Sequence, residues 1–245
     1  MATPYSYDQG FLSATTSGNL LSARKITARL MPLLQPRSVV DFGCAQGGWL
    51  AAWREQGVAD VLGLDGAYVR VQDLMIPASG FMPVDLAESI QLARTFDLAM
   101  SLEVAEHLPP QASRNFVASL TRHADIVLFS AAPPGQGGEH HINEQPYQYW
   151  RDLFASLDYV LLDFCRQSFR DDPEIQPWYR YNIFLFCKRE HLSRLPAPLT
   201  ATLLDPAQPV PDLSPWHYRL RKRIVPALPY FVRQWLAKAM VRLRG

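Results

Sequence analysis

A chain of 245 residues, 48% hydrophobic and 19% charged, is long enough for one large domain with additions and too apolar to stay disordered. Its three cysteines, Cys44, Cys165 and Cys187, are an odd count without metal-type pairing, which argues against a disulfide framework and for a reducing, cytoplasmic setting. Net charge is only +1, but residues 212–245 carry +7 and the remainder −6, so the C-terminal segment reads as an appended piece with its own surface or partner.

In chain order, residues 1–36 form a lead-in with one amphipathic helix, LLSARKITARLMPLL, closed by Pro36. The polar start MATPYSYDQG lacks a signal-peptide core, and no apolar run of about 18 residues occurs, so neither a leader nor a spanning helix is expected. SVVDFG reads as a buried strand, GGWLAAWREQG as a helix, ADVLGLD as a second strand, GFMPVDL as a weaker third and TFDLAMSL as a fourth. PQASRNFVASLTRH is a helix, ADIVLFSAA a fifth strand and PYQYWRDLFASL a further helix. YVLLDFCR and YNIFLFCKR are expected as a hairpin-like antiparallel pair joined by a short loop, with the last strand at a sheet edge. Strands alternating with helices predict an α/β doubly wound, mostly parallel sheet over 37–190. Residues 191–217, rich in proline, read as a linker, and 218–245 as a basic amphipathic tail.

In such a sheet, ligands sit at the C-terminal ends of the strands. DFGCAQGG lies there, and small residues at Gly43, Ala45 and Gly47 let the backbone turn tightly against a ligand. Asp65, ending the second strand, can accept both hydroxyls of a ribose; Asp85 can meet an adenine edge or cap a turn. Gly43-x-Ala45-x-x-Gly48 also fits a degenerate dinucleotide fingerprint. Asp41 argues against that alternative, since its carboxylate repels a pyrophosphate but attracts a cationic amino group.

The chain here resembles the class I S-adenosylmethionine-dependent methyltransferases over about residues 20–190, through VVDFGCAQG, GLDG and FDLAMSLEVAEHL. Ala45 stands where the family usually has its second glycine. The resemblance implies a seven-stranded Rossmann-like sheet in the order 3-2-1-4-5-7-6, with strand seven antiparallel. It implies Asp41, Gly43, Ala45 and Gly47 along the methionine moiety, Asp65 on the ribose, and Asp85 with Leu86 near the adenine.

SLEVAEHLP places Glu103, Glu106 and His107 at i, i+3, i+4, one face of a helical turn. The loop after the fifth strand brings His140, His141, Asn143, Glu144 and Gln145 to the same sheet edge. An alcohol nucleophile attacking a sulfonium methyl must lose its proton, and either a histidine base or a divalent cation can serve. EVAEH resembles the Glu-x-x-Glu-His element of small-RNA 3′-end and ubiquinone-pathway methyltransferases, which implies Glu103, Glu106, His107 and His141 as ligands of Mg2+ or Mn2+. Many relatives carry EVxEHL without a known metal, so that alternative stays open. HINEQ and the string Trp178–Phe186 resemble a bacterial subgroup associated with glycan and polysaccharide synthesis. Through it Asn143, Glu144, Gln145, Trp178 and Tyr179 become acceptor-side candidates; core aromatics are the competing reading.

The function these readings favour is O-methylation of a sugar or glycan-linked hydroxyl, with a small-molecule or glycan acceptor. Two alternatives remain, a metal-dependent RNA 2′-O-methyltransferase and a non-catalytic adenosyl-binding scaffold. The core's −6 charge argues against a nucleic-acid partner. The tail, with Phe231, Trp235 and Leu236 among its arginines, can lie on the inner membrane surface, dock on a glycosyltransferase or pack on the body.

Overall fold

The structure, a computed structural model, describes residues 9–225, with side chains from residue 19 onward. The strands are β1 (Ser38–Phe42), β2 (Asp60–Asp65), β3 (Phe81–Pro83), β4 (Leu98–Leu102), β5 (Ile126–Ser130), β6 (Tyr159–Leu162) and β7 (Phe184–Lys188). Among the described residues they form one sheet in the order β3-β2-β1-β4-β5-β7-β6, as expected. β1 to β5 pair in parallel, and β7 is antiparallel to both neighbours.

The period-two side-chain alternation of strands builds a core on each face. Val39, Leu98, Met100, Leu128, Leu185 and Cys187 face one layer. It is covered by α1 (Gln9–Leu34), α2 (Gly48–Glu55), α5 (Phe164–Phe169) and α6 (Pro177–Asn182). Val40, Phe42, Ala99, Val127, Phe129 and Phe186 face the other, under α3 (Ser113–His123) and α4 (Tyr147–Ala155). There Phe154 of α4 stacks on Phe186 with ring centroids 3.8 Å apart.

Two expectations about the last strands need correction. β6 and β7 do pair antiparallel, but α5 and α6 lie between them, so no hairpin forms. The edge strand is β6; β7 lies inside, between β5 and β6. The reason is burial: Phe184, Leu185, Phe186 and Cys187 are all buried, and a strand apolar on both faces is stable only in the interior. α5 and α6 are six residues each, too short to show a helical period.

The proline-rich stretch is strapped to the body. It includes α7 (Ala197–Thr200) with buried Leu199, and Leu203 bridges to Leu162 on β6. Arginine side chains hold its carbonyls: Arg151 donates to Pro206 and Gln208, and Arg166 to Pro211. α8 (Trp216–Ile224) also packs on the body. Tyr218 meets Tyr181 at 5.6 Å, Arg221 donates to the Gln136 carbonyl at 2.8 Å, and Lys222 pairs with Asp212 at 2.8 Å. Residues 226–245, including Phe231, Trp235 and Leu236, lie outside the described residues. Among the described residues no helix is long and apolar enough to cross a membrane.

Candidate active site

β2 lies on one side of β1 and β4 on the other, so the strand order reverses there, and the C-terminal ends of β1 and β4 are where such sheets hold their ligands. The loop after β1 bends through three residues with positive φ: Gly43 at 95°, Ala45 at 47° and Gly47 at 81°. At Gly43 an added Cβ would overlap Val104, the residue after Glu103, so this glycine lets the β1 loop and the β4 turn touch. Asp65 ends β2 in a buried position. Its carboxylate accepts from the Ala45 and Gly66 amides at 2.7 Å each and from the Tyr68 hydroxyl. Burial raises its pKa, opposed by these three donors. Asp41 lies buried within β1; burial, then the charge of Asp65, pushes its carboxyl well above the usual range. Asp85 is exposed and caps its own turn at the Ala87 amide, 2.9 Å away, while Leu86 is buried in the core.

The β4 end departs from a simple helical turn. Only Ala105–His107 is helical, as a single 3₁₀ turn. Glu103 precedes it at φ 57°, a left-handed conformation unfavourable for a residue with Cβ. The expected single face is therefore split. Glu103 turns toward Gln136 Nε2 (2.6 Å) and Asn182 Nδ2 (3.3 Å); Asn182 also donates to Gln136 Oε1 at 2.7 Å and accepts from Tyr147. Burial raises the Glu103 pKa, and the Gln136 bond foremost opposes that.

Glu106 is completely buried within electrostatic reach of Glu103; no side chain hydrogen-bonds to its carboxylate, toward which the Glu106 and Ala132 backbone amides are directed. Burial, then the neighbouring Glu103, pushes its carboxyl well above the usual range. One ligand atom each of Glu106, His107 and His141 lies within 4.8 Å of the others. The His107 and His141 rings meet edge to face at 4.8 Å. His107 Nδ1 donates to the His140 carbonyl at 3.3 Å, and His141 Nδ1 pairs with Glu144 Oε1 at 2.9 Å. Burial, then His141, lowers the His107 pKa to about 3. Burial works against the Glu144 charge, but His141 and the Gly135 and Gly137 amides outweigh it and hold that carboxyl below its ordinary range.

Several expected acceptor contacts are engaged elsewhere. Asn143 is buried and fastens the loop to the β4 turn through Ala105 O and Ser113 Oγ, and Gln145 donates to Asn143. Glu144 is the staple of its own loop. Tyr179 packs in the core edge to face with Trp49 at 5.1 Å. Trp178 instead lines a small cleft of about 50 Å³ with Gln136, Tyr181, Asn182, Tyr218 and Arg221. Gln136, Asn182 and Tyr68 were not legible in advance. Only Tyr68, three residues after Asp65, had a local signal.

The family model for the methyltransferase domain matches residues 19–161. The chain belongs to the methyltransferase-domain family. Its sheet order agrees with that membership, and the protein is an S-adenosylmethionine-dependent methyltransferase. Among curated proteins, none matches the chain significantly. Solved structures share the fold at low identity. The sugar N-methyltransferase KedS8 from Streptoalloteichus sp. is 14% identical with a TM-score of 0.55, covering 77% of this chain and 96% of that one. DesVI from Streptomyces venezuelae is 13% identical with a TM-score of 0.54, covering 75% and 99%. The methyltransferase domain of bacterial CtHen1-C is 18% identical with a TM-score of 0.52, covering 69% and 98%.

Proposed function

We propose that this methyltransferase moves the methyl group of S-adenosylmethionine onto a hydroxyl of a sugar or glycan-type acceptor. The cofactor lies along the Gly43–Gly47 loop with its ribose at Asp65, and the acceptor hydroxyl sheds its proton at the pole of Glu106, His107 and His141. The observation that carries this reading is the convergence of that pole with the β1 loop through Val104, which touches Gly43 and directly follows Glu103. Methyl transfer to an oxygen needs alignment with the sulfonium carbon and removal of one proton. The β1 loop suits the first need and the Glu106 pole the second.

The lining of the cleft, not its size, favours a sugar acceptor at its mouth. Trp178, Tyr181 and Tyr218 offer ring faces, and Gln136 and Asn182 offer amides that already reach Glu103. A sugar ring suits such walls, apolar on its faces and polar at its rim. KedS8, which has the same fold, is a sugar N-methyltransferase, a precedent for the acceptor class and not for the hydroxyl. Domain limits at 37–190 and a tail contact with a glycosyltransferase belong to the same reading.

The test is calorimetric titration with S-adenosylmethionine followed by a sugar-acceptor screen with labelled cofactor. Binding is expected and should weaken at least about tenfold, ~1.4 kcal/mol, in Asp65→Ala. Glu106→Ala and His141→Ala should lose turnover and keep cofactor affinity. Tight nicotinamide dinucleotide binding in place of S-adenosylmethionine would end the reading.

A further inference from the structure

We propose that the outer face of α8 docks on an anionic lipid surface. One side of this helix is fastened to the body. Tyr218 meets Tyr181, Arg221 donates to the Gln136 carbonyl and Lys222 pairs with Asp212. A Cβ on Gly135 would collide with the Lys222 backbone, so the loop after β5 and the helix pack closely. The other side presents Trp216, Leu220 and Ile224, which are 69%, 47% and 51% exposed. Spaced four residues apart, they form one stripe along the helix. Arg219 and Arg223, three residues on from Trp216 and Leu220, are exposed on the same side, and α8 contains no acid.

The chemistry of that face selects its occupant. Indole, leucine and isoleucine side chains gain by leaving water for an apolar phase, and tryptophan favours the boundary of a bilayer, where one edge stays wet. The surrounding charge is of one sign. All 23 acids of the sequence lie in residues 1–212, against 16 Lys or Arg, and the other eight Lys or Arg follow Asp212. A short apolar stripe bordered by guanidinium groups fits anionic headgroups: the apolar side chains enter the edge of the acyl region while the arginines meet phosphates. An uncharged protein partner has no need of the arginines, and a polynucleotide has no need of the stripe. The opposite face of α8 lines the cleft beside Trp178, so a docked helix holds that cleft within one helix diameter, ~10–12 Å, of the lipid. The docking itself does not depend on which acceptor the cleft receives.

The experiment is co-sedimentation of the full chain with vesicles of phosphatidylcholine alone, or of phosphatidylcholine mixed equally with phosphatidylglycerol. Binding to the mixed vesicles is expected, about tenfold or more stronger than to phosphatidylcholine and weakening as salt rises. Trp216→Ala with Leu220→Ser, and separately Arg219→Gln with Arg223→Gln, should each weaken that binding about tenfold or more. Both double variants should keep the wild-type affinity for S-adenosylmethionine, which checks that they fold. Vesicle binding unchanged in both double variants overturns the proposal and assigns any lipid contact to residues 226–245. Equal binding to the two vesicle types, or binding to neither, overturns it as well. So does a concentration-dependent dimer in analytical ultracentrifugation that Leu220→Ser dissolves, because the stripe would then be covered by a second copy.

Discussion

Gly43→Ala tests whether the β1 loop and the β4 turn are one mechanical unit. At Gly43 the backbone has φ 95°, outside the region an L-residue adopts comfortably. Left-handed geometry costs an alanine roughly 1–2 kcal/mol. The new methyl would also overlap Val104 Cγ2 and come within 2.8 Å of Cγ1 and 3.1 Å of Cβ. Overpacking of that kind adds about 1–3 kcal/mol. Together the loss should be about 2–5 kcal/mol, a large share of a typical ~5–15 kcal/mol total. Urea unfolding of the wild type, Gly43→Ala, Val104→Ala and the double variant measures it. Trimming Val104 removes the collision but not the backbone strain, so the double variant should recover about 1–3 kcal/mol relative to additivity. Cofactor affinity should fall in Gly43→Ala and partly return in the double variant. A single variant within ~0.5 kcal/mol of wild type, or strict additivity, would refute the contact as the glycine's reason.

Asp163 accepts two hydrogen bonds of 2.7 Å from Arg166, and both side chains are almost wholly buried. Asp163→Ala would strand the guanidinium, which also holds Pro211 O and lies 4.3 Å from the Phe184 ring centroid. A loss of about 3–5 kcal/mol in urea is expected; under ~1 kcal/mol would mean that the ion pair does not anchor the strap. In metal-free protein, Glu106 has a pKa raised by burial, so its stabilising contribution is complete below the unfolded value and is lost as pH rises through the folded one. His107, lowered to about 3, acts in the opposite sense, but only below its unfolded value of about 6.5. Above the unfolded glutamate value of about 4.3, Glu106→Gln should therefore gain on the wild type as pH rises, by at most ~1.4 kcal/mol per pH unit, until the folded pKa is passed. A pH-independent difference between the two from about pH 4.3 upward would show that Glu106 does not carry a raised pKa.

The sheet was readable because its signals are local. Strand and helix periods differ, turns carry glycine, and Asp65 follows a β-branched, apolar run that can only be a strand. Alternation plus the class I resemblance was enough to order all seven strands. Local pattern says nothing, however, about where a side chain points once its backbone leaves the regular regions. Glu103 leaves at φ 57°, and its partners Gln136 and Asn182 are 33 and 79 residues away. Tyr179, next to Trp178 in sequence, ends up in the core while Trp178 faces the cleft, because adjacent positions of the short α6 point to different sides. The fold thus follows from sequence pattern. Only tertiary packing decides which of two nearby glutamates is tied to amides and which is left buried beside two imidazoles, since that choice rests on contacts between segments distant in the chain.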